Sequence, residues 1–344
     1  MKGFLALEDG TIFRGDSVGA EGSAFGEAVF TTSMSGYQET VTDPSYARQI
    51  VCFTAPMIGN YGVANERSQS GRVHATAVIM REARGPHWTD WLRERGIVAL
   101  TGVDTRSLVL HLRAHGAMRA AAIAGDASID EALAAVREQP AMEGAALVAG
   151  VSPAEWYTFA AEGGVRVAVV DYGVKRSILA LLERNGAAVD VFPHEVDADT
   201  LAEYDGVLLG NGPGDPAPLV EETRTVQALL GRVPVLGVCL GHQLLALATG
   251  HTTFKLPFGH RGANHPVVDH RTRRVLVTSQ NHGFAVAPGD DNGVTHTSLY
   301  DGTVEGLDYP GLRARSAQFH PEASPGPHDG APIIAGWIEE LRVA

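Results

Sequence analysis

Gly237-Val238-Cys239-Leu240-Gly241 decides how this chain is read, because it sets a cysteine on a sharp turn between a strand and a helix. Before it, Val233-Pro234-Val235-Leu236 is a short apolar run that predicts a buried strand. After it, His242-Gln243-Leu244-Leu245-Ala246-Leu247-Ala248-Thr249 predicts a helix, which Gly250 stops. A nucleophile flanked two residues away on each side by glycine, at such a turn, is the nucleophile elbow, here with sulfur in place of a serine oxygen. The helix N-terminus adds unpaired N–H groups and the positive end of the macrodipole, both of which favour an anion there. An isolated cysteine would read as a small buried hydrophobe. Cys52, in Gln49-Ile50-Val51-Cys52-Phe53, does read that way; the strand, paired glycines and helix around Cys239 read as a nucleophile.

A thiol nucleophile in acyl transfer needs a base to shuttle a proton to the leaving amine, usually a histidine oriented by a carboxylate. Of the 14 histidines, His320 in His320-Pro321-Glu322 fits best. It closes a predicted strand, residues two apart in extended chain share a side, and Pro321 stiffens the link. Glu322 can therefore hold the imidazole tautomer. His242 and His282 are the competitors, His242 being better placed to cap or pack locally. A surface turn is the alternative for an unaccompanied His-Pro-Glu.

Gly210-Asn211-Gly212-Pro213-Gly214-Asp215-Pro216 also follows a predicted strand. It lacks the Lys and Ser/Thr of a P-loop and the full dinucleotide pattern. Its prolines keep a helix from starting directly after the glycines. It reads either as a plain Gly/Pro loop or as a turn presenting bare N–H groups to an oxyanion, with Gly212 a second donor beside Leu240. His260, His265 and His270 stand five apart, which matches no standard ligand pattern, so no metal site is expected.

Composition fits these local readings. The 344 residues allow two domains, and 44% hydrophobic with 19% charged residues describes a globular protein. A net charge of −13 argues against nucleic acid as a partner. No apolar run approaches a membrane span, so no membrane partner is expected, and two cysteines fit a reducing cytoplasm. From about Val165 short strands alternate with helices, which predicts βαβ crossovers and a mainly parallel sheet. The first half is more mixed. Phe4–Leu7 and Thr11–Phe13 predict a hairpin across Asp9-Gly10. Residues 73–80 read as a strand, and 88–95, 107–114 and 130–138 as helices. The expected organisation is an N-terminal domain over 1–145, a linker over 146–164 and a C-terminal domain over 165–344.

Taken together, Cys239-Leu240-Gly241-His242-Gln243, Asn211-Gly212-Pro213-Gly214-Asp215 and His320-Pro321-Glu322 resemble a class I (triad) glutamine amidotransferase. Other strings are similar to the small subunit of carbamoyl phosphate synthetase. They are Thr32-Ser33-Met34-Ser35-Gly36-Tyr37-Gln38-Glu39, Asp43-Pro44-Ser45-Tyr46, Gly102-Val103-Asp104-Thr105-Arg106, residues 259–266 and residues 320–329. The resemblance runs nearly end to end. It implies an α/β fold: a C-terminal class I amidotransferase domain carrying the elbow, and an N-terminal mixed α/β small-subunit domain.

What the resemblance implies is hydrolysis of glutamine, with Cys239 attacking the amide, His320 and Glu322 moving the proton, and Gly212 and Leu240 as oxyanion donors. Its glutamine-contacting positions fall on Ser45, Gly214, Gln243, Asn281, Gly283 and Phe284. Phe319 departs from the small residue expected before His-Pro-Glu. No cofactor is expected in this chain, which has no recognisable ATP loop; ATP and Mg are expected on a large-subunit partner that receives the ammonia and makes carbamoyl phosphate for arginine or pyrimidine synthesis. The alternatives are an amidotransferase subunit of another synthase and a non-catalytic scaffold; the first 150 residues speak against the former and the intact Cys239, His320 and Glu322 against the latter.

Overall fold

The structure, a computed structural model, describes residues 2–289 and 293–343. The chain divides into two compact units, Met1–Met142 with Pro257–Arg261, and Glu143–Leu256 with Gly262–Ala344.

The first unit carries β1 (Lys2–Leu7), β2 (Ile12–Ser17), β3 (Gly22–Thr31), β4 (Gln49–Phe53), β5 (Met57–Ile58), β6 (Ala77–Ile79), β7 (Glu82–Ala83), β8 (Val98–Thr101) and β9 (Met118–Ala124). Seven of these close into a barrel in the order β1-β2-β8-β6-β4-β3-β9, while β5 and β7 pair with each other. The β1–β2 hairpin turns where expected, with the Asp9 carboxylate accepting from Thr11 N–H at 2.9 Å. The period-2 alternation of strands sorts the side chains. Leu5, Leu7, Ile50, Cys52, Ile79 and Leu100 form one cluster with Leu108 and Leu112 of the helix Thr105–His115. The intervening Phe4, Ala6, Ala121 and Ile123 pack under the helix Ile129–Glu138, whose N-cap is Ser128. Trp88, Trp91 and Leu92 of Pro86–Glu94 cover Val51, Phe53, Val78 and Ala99. Pro257–Arg261 is tied to this unit by Ala117 N–H to Pro257 O (2.7 Å) and Thr32 N–H to Arg261 O (3.1 Å).

The second unit adds β10 (Tyr157–Ala160), β11 (Val165–Asp171), β12 (Ala187–Pro193), β13 (Gly206–Leu209), β14 (Val235–Val238), β15 (Thr253–Asp269, of which Pro257–Arg261 belongs to the first unit), β16 (Arg274–Val286), β17 (Val294–Ser298), β18 (Val304–Tyr309) and β19 (Ala314–Ala317). They form one sheet in the order β10-β12-β11-β13-β14-β19-β18-β16-β15-β17. The five strands β12, β11, β13, β14 and β19 are parallel, as the βαβ pattern predicts. The sheet is nevertheless mixed, because antiparallel strands extend it on both sides. Both faces of the parallel core are apolar. Val167, Val169, Leu208 and Val238 meet Ile178 and Leu182 of the helix Arg176–Arg184 and Trp337 and Ile338 of Pro332–Val343. Val170, Val207, Leu209 and Val235 meet Val226 and Leu229 of Val220–Leu229 and Leu240, Leu244 and Leu245 of the elbow helix Leu240–Ala248.

Three expectations shift. The segment 146–164, expected as a linker, holds β10, which pairs with β12, and Ala146 bridges Gly214. Its strand is only four residues long, too short to show a period. The strand read over 73–80 contracts to β6, because His74, Ala75 and Thr76 give their N–H groups to Val41 and Gln49 in loop geometry. The last strand stops at Ala317, leaving Gln318 to His320 outside it. No helix among the described residues is long and apolar enough to cross a membrane.

Candidate active site

β14 enters the elbow and the helix Leu240–Ala248 leaves it, with Cys239 as the N-cap residue at φ 54°, ψ −103°. A side-chain-bearing residue at positive φ stores roughly 1–3 kcal/mol of strain and persists only where its surroundings over-determine it. Here they do: Cys239 N–H donates to Ala317 O at 2.9 Å, Cys239 O accepts from Gln243 N–H at 3.2 Å, and Gly241 N–H donates to Gly210 O at 3.1 Å. The flanking glycines are required by space. A Cβ on Gly241 would lie 2.2 Å from Leu209 O, and one on Gly237 would lie 2.5 Å from Gly241 O.

Cys239 is buried, and its Sγ faces Asn281 O at 3.7 Å. His320 stands beyond the end of β19, its N–H bonded to Ser279 O at 2.9 Å. Its Nδ1 meets Glu322 Oε1 at 2.8 Å, with both side chains buried. Nε2, also buried, has no hydrogen-bond partner among the described residues. Burial alone would depress the imidazole. The Glu322 charge outweighs it, Lys175 opposes, and the nearby Cys239 adds to the rise, so His320 ends well above its ordinary value. Burial would raise Glu322, but Lys175 and then His320 hold it well below the ordinary carboxylate range. Unliganded sites often leave nucleophile and base slightly apart and tighten around substrate.

Lys175 is the functional residue that the sequence reading missed. Its Nζ donates to Glu322 Oε1 at 2.7 Å and to Ala323 O at 2.6 Å, and the side chain is buried. The loop after β11 delivers it: Asp171 accepts from Gly173 and Val174 N–H at 2.7 and 2.6 Å, and Asn211 Oδ1 accepts from Lys175 N–H at 3.0 Å. The signal available was its place just past the carboxyl end of a parallel strand, where sites form.

The Gly-Pro loop lies beside the elbow. A Cβ on Gly212 would sit 2.8 Å from Leu240 Cδ2. Neither Gly212 N–H nor Leu240 N–H has a backbone acceptor among the described residues, leaving two donors for an anion. Gly214 is instead engaged with Ala146 across an isolated bridge. Gln243, in the first turns of the elbow helix, donates to Phe284 O at 2.8 Å and Gln318 Oε1 at 3.0 Å. Asn281, Gly283 and Phe284 lie on β16. Ser45 belongs to the first unit, in the turn Pro44–Tyr46, where its N–H meets the Asp43 carboxylate at 2.9 Å.

The competing histidines have other occupations. His242 is fully buried, its Nδ1 2.8 Å from Ser316 Oγ, and burial, with His251 and His296 adding, pushes it down to about 3. His282 bonds Phe284 O and Gln280. Phe319 turns away into a cluster with Val267 and Ala317, edge-on to His296, so the bulkier residue fills core space. His260 and His265 are buried and His270 is exposed.

Residues 5–122 match the family "Carbamoyl-phosphate synthase small chain, CPSase domain", and residues 168–339 match "Glutamine amidotransferase class-I". The carbamoyl phosphate synthase small chain of Akkermansia muciniphila is 45% identical, covering 96% of this chain and 94% of that one. The Thermotoga maritima small chain is 45% identical over 99% of both. That of Nitratidesulfovibrio vulgaris is 45% identical over 100% of this chain and 99% of its own. At this identity and coverage, with the elbow and the His-Glu pair in one unit, the chain belongs to the carbamoyl phosphate synthase small chain family.

Proposed function

We propose that the chain hydrolyses L-glutamine to glutamate and ammonia and hands the ammonia to a large subunit that makes carbamoyl phosphate from bicarbonate and ATP. The observation that carries this reading is the buried Glu322–His320 pair, whose Nε2, without a geometric hydrogen-bond partner among the described residues, lies in the neighbourhood of Cys239. Cys239 Sγ attacks the side-chain amide carbon of glutamine as a thiolate, its proton already held on His320 Nε2, which the Glu322 charge keeps protonated. Glu322 raises the imidazole's proton affinity and holds Nδ1–H, so the ring is oriented to hold that proton. The amide oxygen becomes an oxyanion received by the Gly212 and Leu240 N–H groups. Collapse breaks the C–N bond as His320 returns the proton to nitrogen, releasing ammonia and leaving a thioester. Water then attacks the thioester carbon with His320 as base, and the thiolate leaves while His320 keeps that proton as glutamate departs.

ATP and Mg belong to the large subunit's half of the reaction in this reading, and no step on the present chain uses them. The test is glutamate release and carbamoyl phosphate synthesis by the chain paired with a large subunit. Wild type should support both from glutamine. Cys239→Ser should lose the glutamine-dependent activities and keep synthesis from added ammonia; undiminished glutamine-dependent synthesis by that variant would overturn the assignment.

A further inference from the structure

Glu305 on β18 is fully buried, and Gln280 and His282 on β16 are nearly so. Gln280 Nε2 lies 2.9 Å from Glu305 Oε2 and 3.3 Å from Thr278 Oγ1. The Thr278 hydroxyl hydrogen is committed to His265 O at 2.8 Å, so its oxygen can only accept there, and a carboxylate only accepts. The amide therefore presents its NH2 to both and its oxygen to His282, which fixes the orientation by network logic. That oxygen is 2.6 Å from His282 Nε2, and His282 Nδ1 is 2.7 Å from Phe284 O. Both ring nitrogens face oxygens that only accept. A neutral imidazole would aim one lone pair at an oxygen lone pair in a buried site, an arrangement native interiors avoid.

We infer that Glu305 and Gln280 are positioning residues that hold His282 as an imidazolium and thereby lock the β16 segment facing the nucleophile. The buried carboxylate, with an oxygen within 4.8 Å of a His282 ring nitrogen, compensates the buried cation directly and through the amide. The other titratable group facing them is buried His260, which has a ring nitrogen within 4.8 Å of both. Two site features hang on that lock. Asn281, between Gln280 and His282, supplies the carbonyl that meets Cys239 Sγ. Phe284 O, already receiving His282, also accepts from Gln243 Nε2, and the other Gln243 hydrogen goes to Gln318, so this amide is held with its oxygen left to receive a ligand.

The protonation claim stands alone, whereas the kinetic one rests on the glutaminase reading; two arms keep them apart. In the first, the full chain is labelled with 15N-histidine, and the His282 signal, one among 14 histidines, is assigned by its loss in His282→Gln. At neutral pH both His282 nitrogens should carry a proton in wild type and only one in Glu305→Gln and in Gln280→Met. A singly protonated His282 in wild type overturns the inference, and beyond the assignment this reading needs neither Glu305→Gln nor Gln280→Met to fold. In the second, Glu305→Gln paired with a large subunit should raise the KM for glutamine about tenfold or more, the loss expected of a charged hydrogen bond. Its kcat should change less than about threefold, a split that general destabilisation would not produce. An unchanged KM overturns the positioning role; wild-type chain that releases no glutamate would instead sink the glutaminase reading and leave the imidazolium standing.

Discussion

Lys175 reaches Glu322 through the same oxygen that receives His320: Nζ lies 2.7 Å from Oε1, and the imidazole Nδ1 lies 2.8 Å from it. One carboxylate oxygen thus answers two cations in a buried site, while Oε2 has no partner among the described residues. Removing one partner of a buried charge pair typically costs about 3–5 kcal/mol, because the survivor stays desolvated. Lys175→Met should therefore unfold at markedly lower urea concentration and lose at least about tenfold in glutaminase kcat/KM. Wild-type urea stability in this variant would show that the ion pair carries no structural weight.

Stability should depend on pH from both sides through the same pair. Glu322 is depressed below its ordinary 4.5, so its contribution is fully present above that value and is lost as pH falls through the folded value. His320 is raised above its ordinary 6.5, so its contribution is fully present below that value and is lost as pH rises through the folded value. The stability difference between wild type and Glu322→Gln should be largest between 4.5 and 6.5 and shrink on either side. Urea titrations across pH check this, and a difference that is flat from acid to alkali would contradict it.

Gly241→Ala should fail structurally before it fails chemically. The added methyl would lie 2.2 Å from Leu209 O, a backbone atom of the central sheet that cannot swing aside. Overpacking of this kind costs about 1–3 kcal/mol or more. A lowered thermal midpoint, or insolubility, is expected, and an unchanged midpoint would mean that the elbow can open.

Ser128→Ala offers a control remote in sequence from the triad. Ser128 caps Ile129–Glu138 by accepting Glu131 N–H at 3.4 Å. Loss of such a cap costs about 0.5–2 kcal/mol. Glutamine hydrolysis per folded molecule should be unchanged, as an assay normalised to folded protein would show.

The elbow was legible because its chemistry is local. Two glycines, an apolar run and a helix former within about ten residues leave few backbone solutions, and His320 with Glu322 are separated by a single proline. Lys175 was not legible, because a lysine in a loop ordinarily reads as solvated; only the arrival of Glu322 and Ala323, 147 and 148 residues away, makes burial tolerable. The barrel of the first unit escaped for a related reason. β6 spans three residues and β8 four, lengths at which no period can be read, and closure depends on pairing distant strands such as β1 with β9. Ser45 could be named only through resemblance, since nothing local to Asp43-Pro44-Ser45-Tyr46 beyond a turn marks it.

Pro257–Arg261 carries an engineering consequence. The chain passes from the first unit to the second after Met142, returns for five residues, and leaves again after Arg261. No single cut can therefore liberate either half whole. A fragment ending at residue 142 would leave the N–H groups of Ala117 and Thr32 without the carbonyls of Pro257 and Arg261. The complementary fragment would carry a strand segment that belongs elsewhere. Splitting the gene at its apparent domain boundary would thus yield two incomplete objects, whereas a circular permutant retaining β15 would keep both intact.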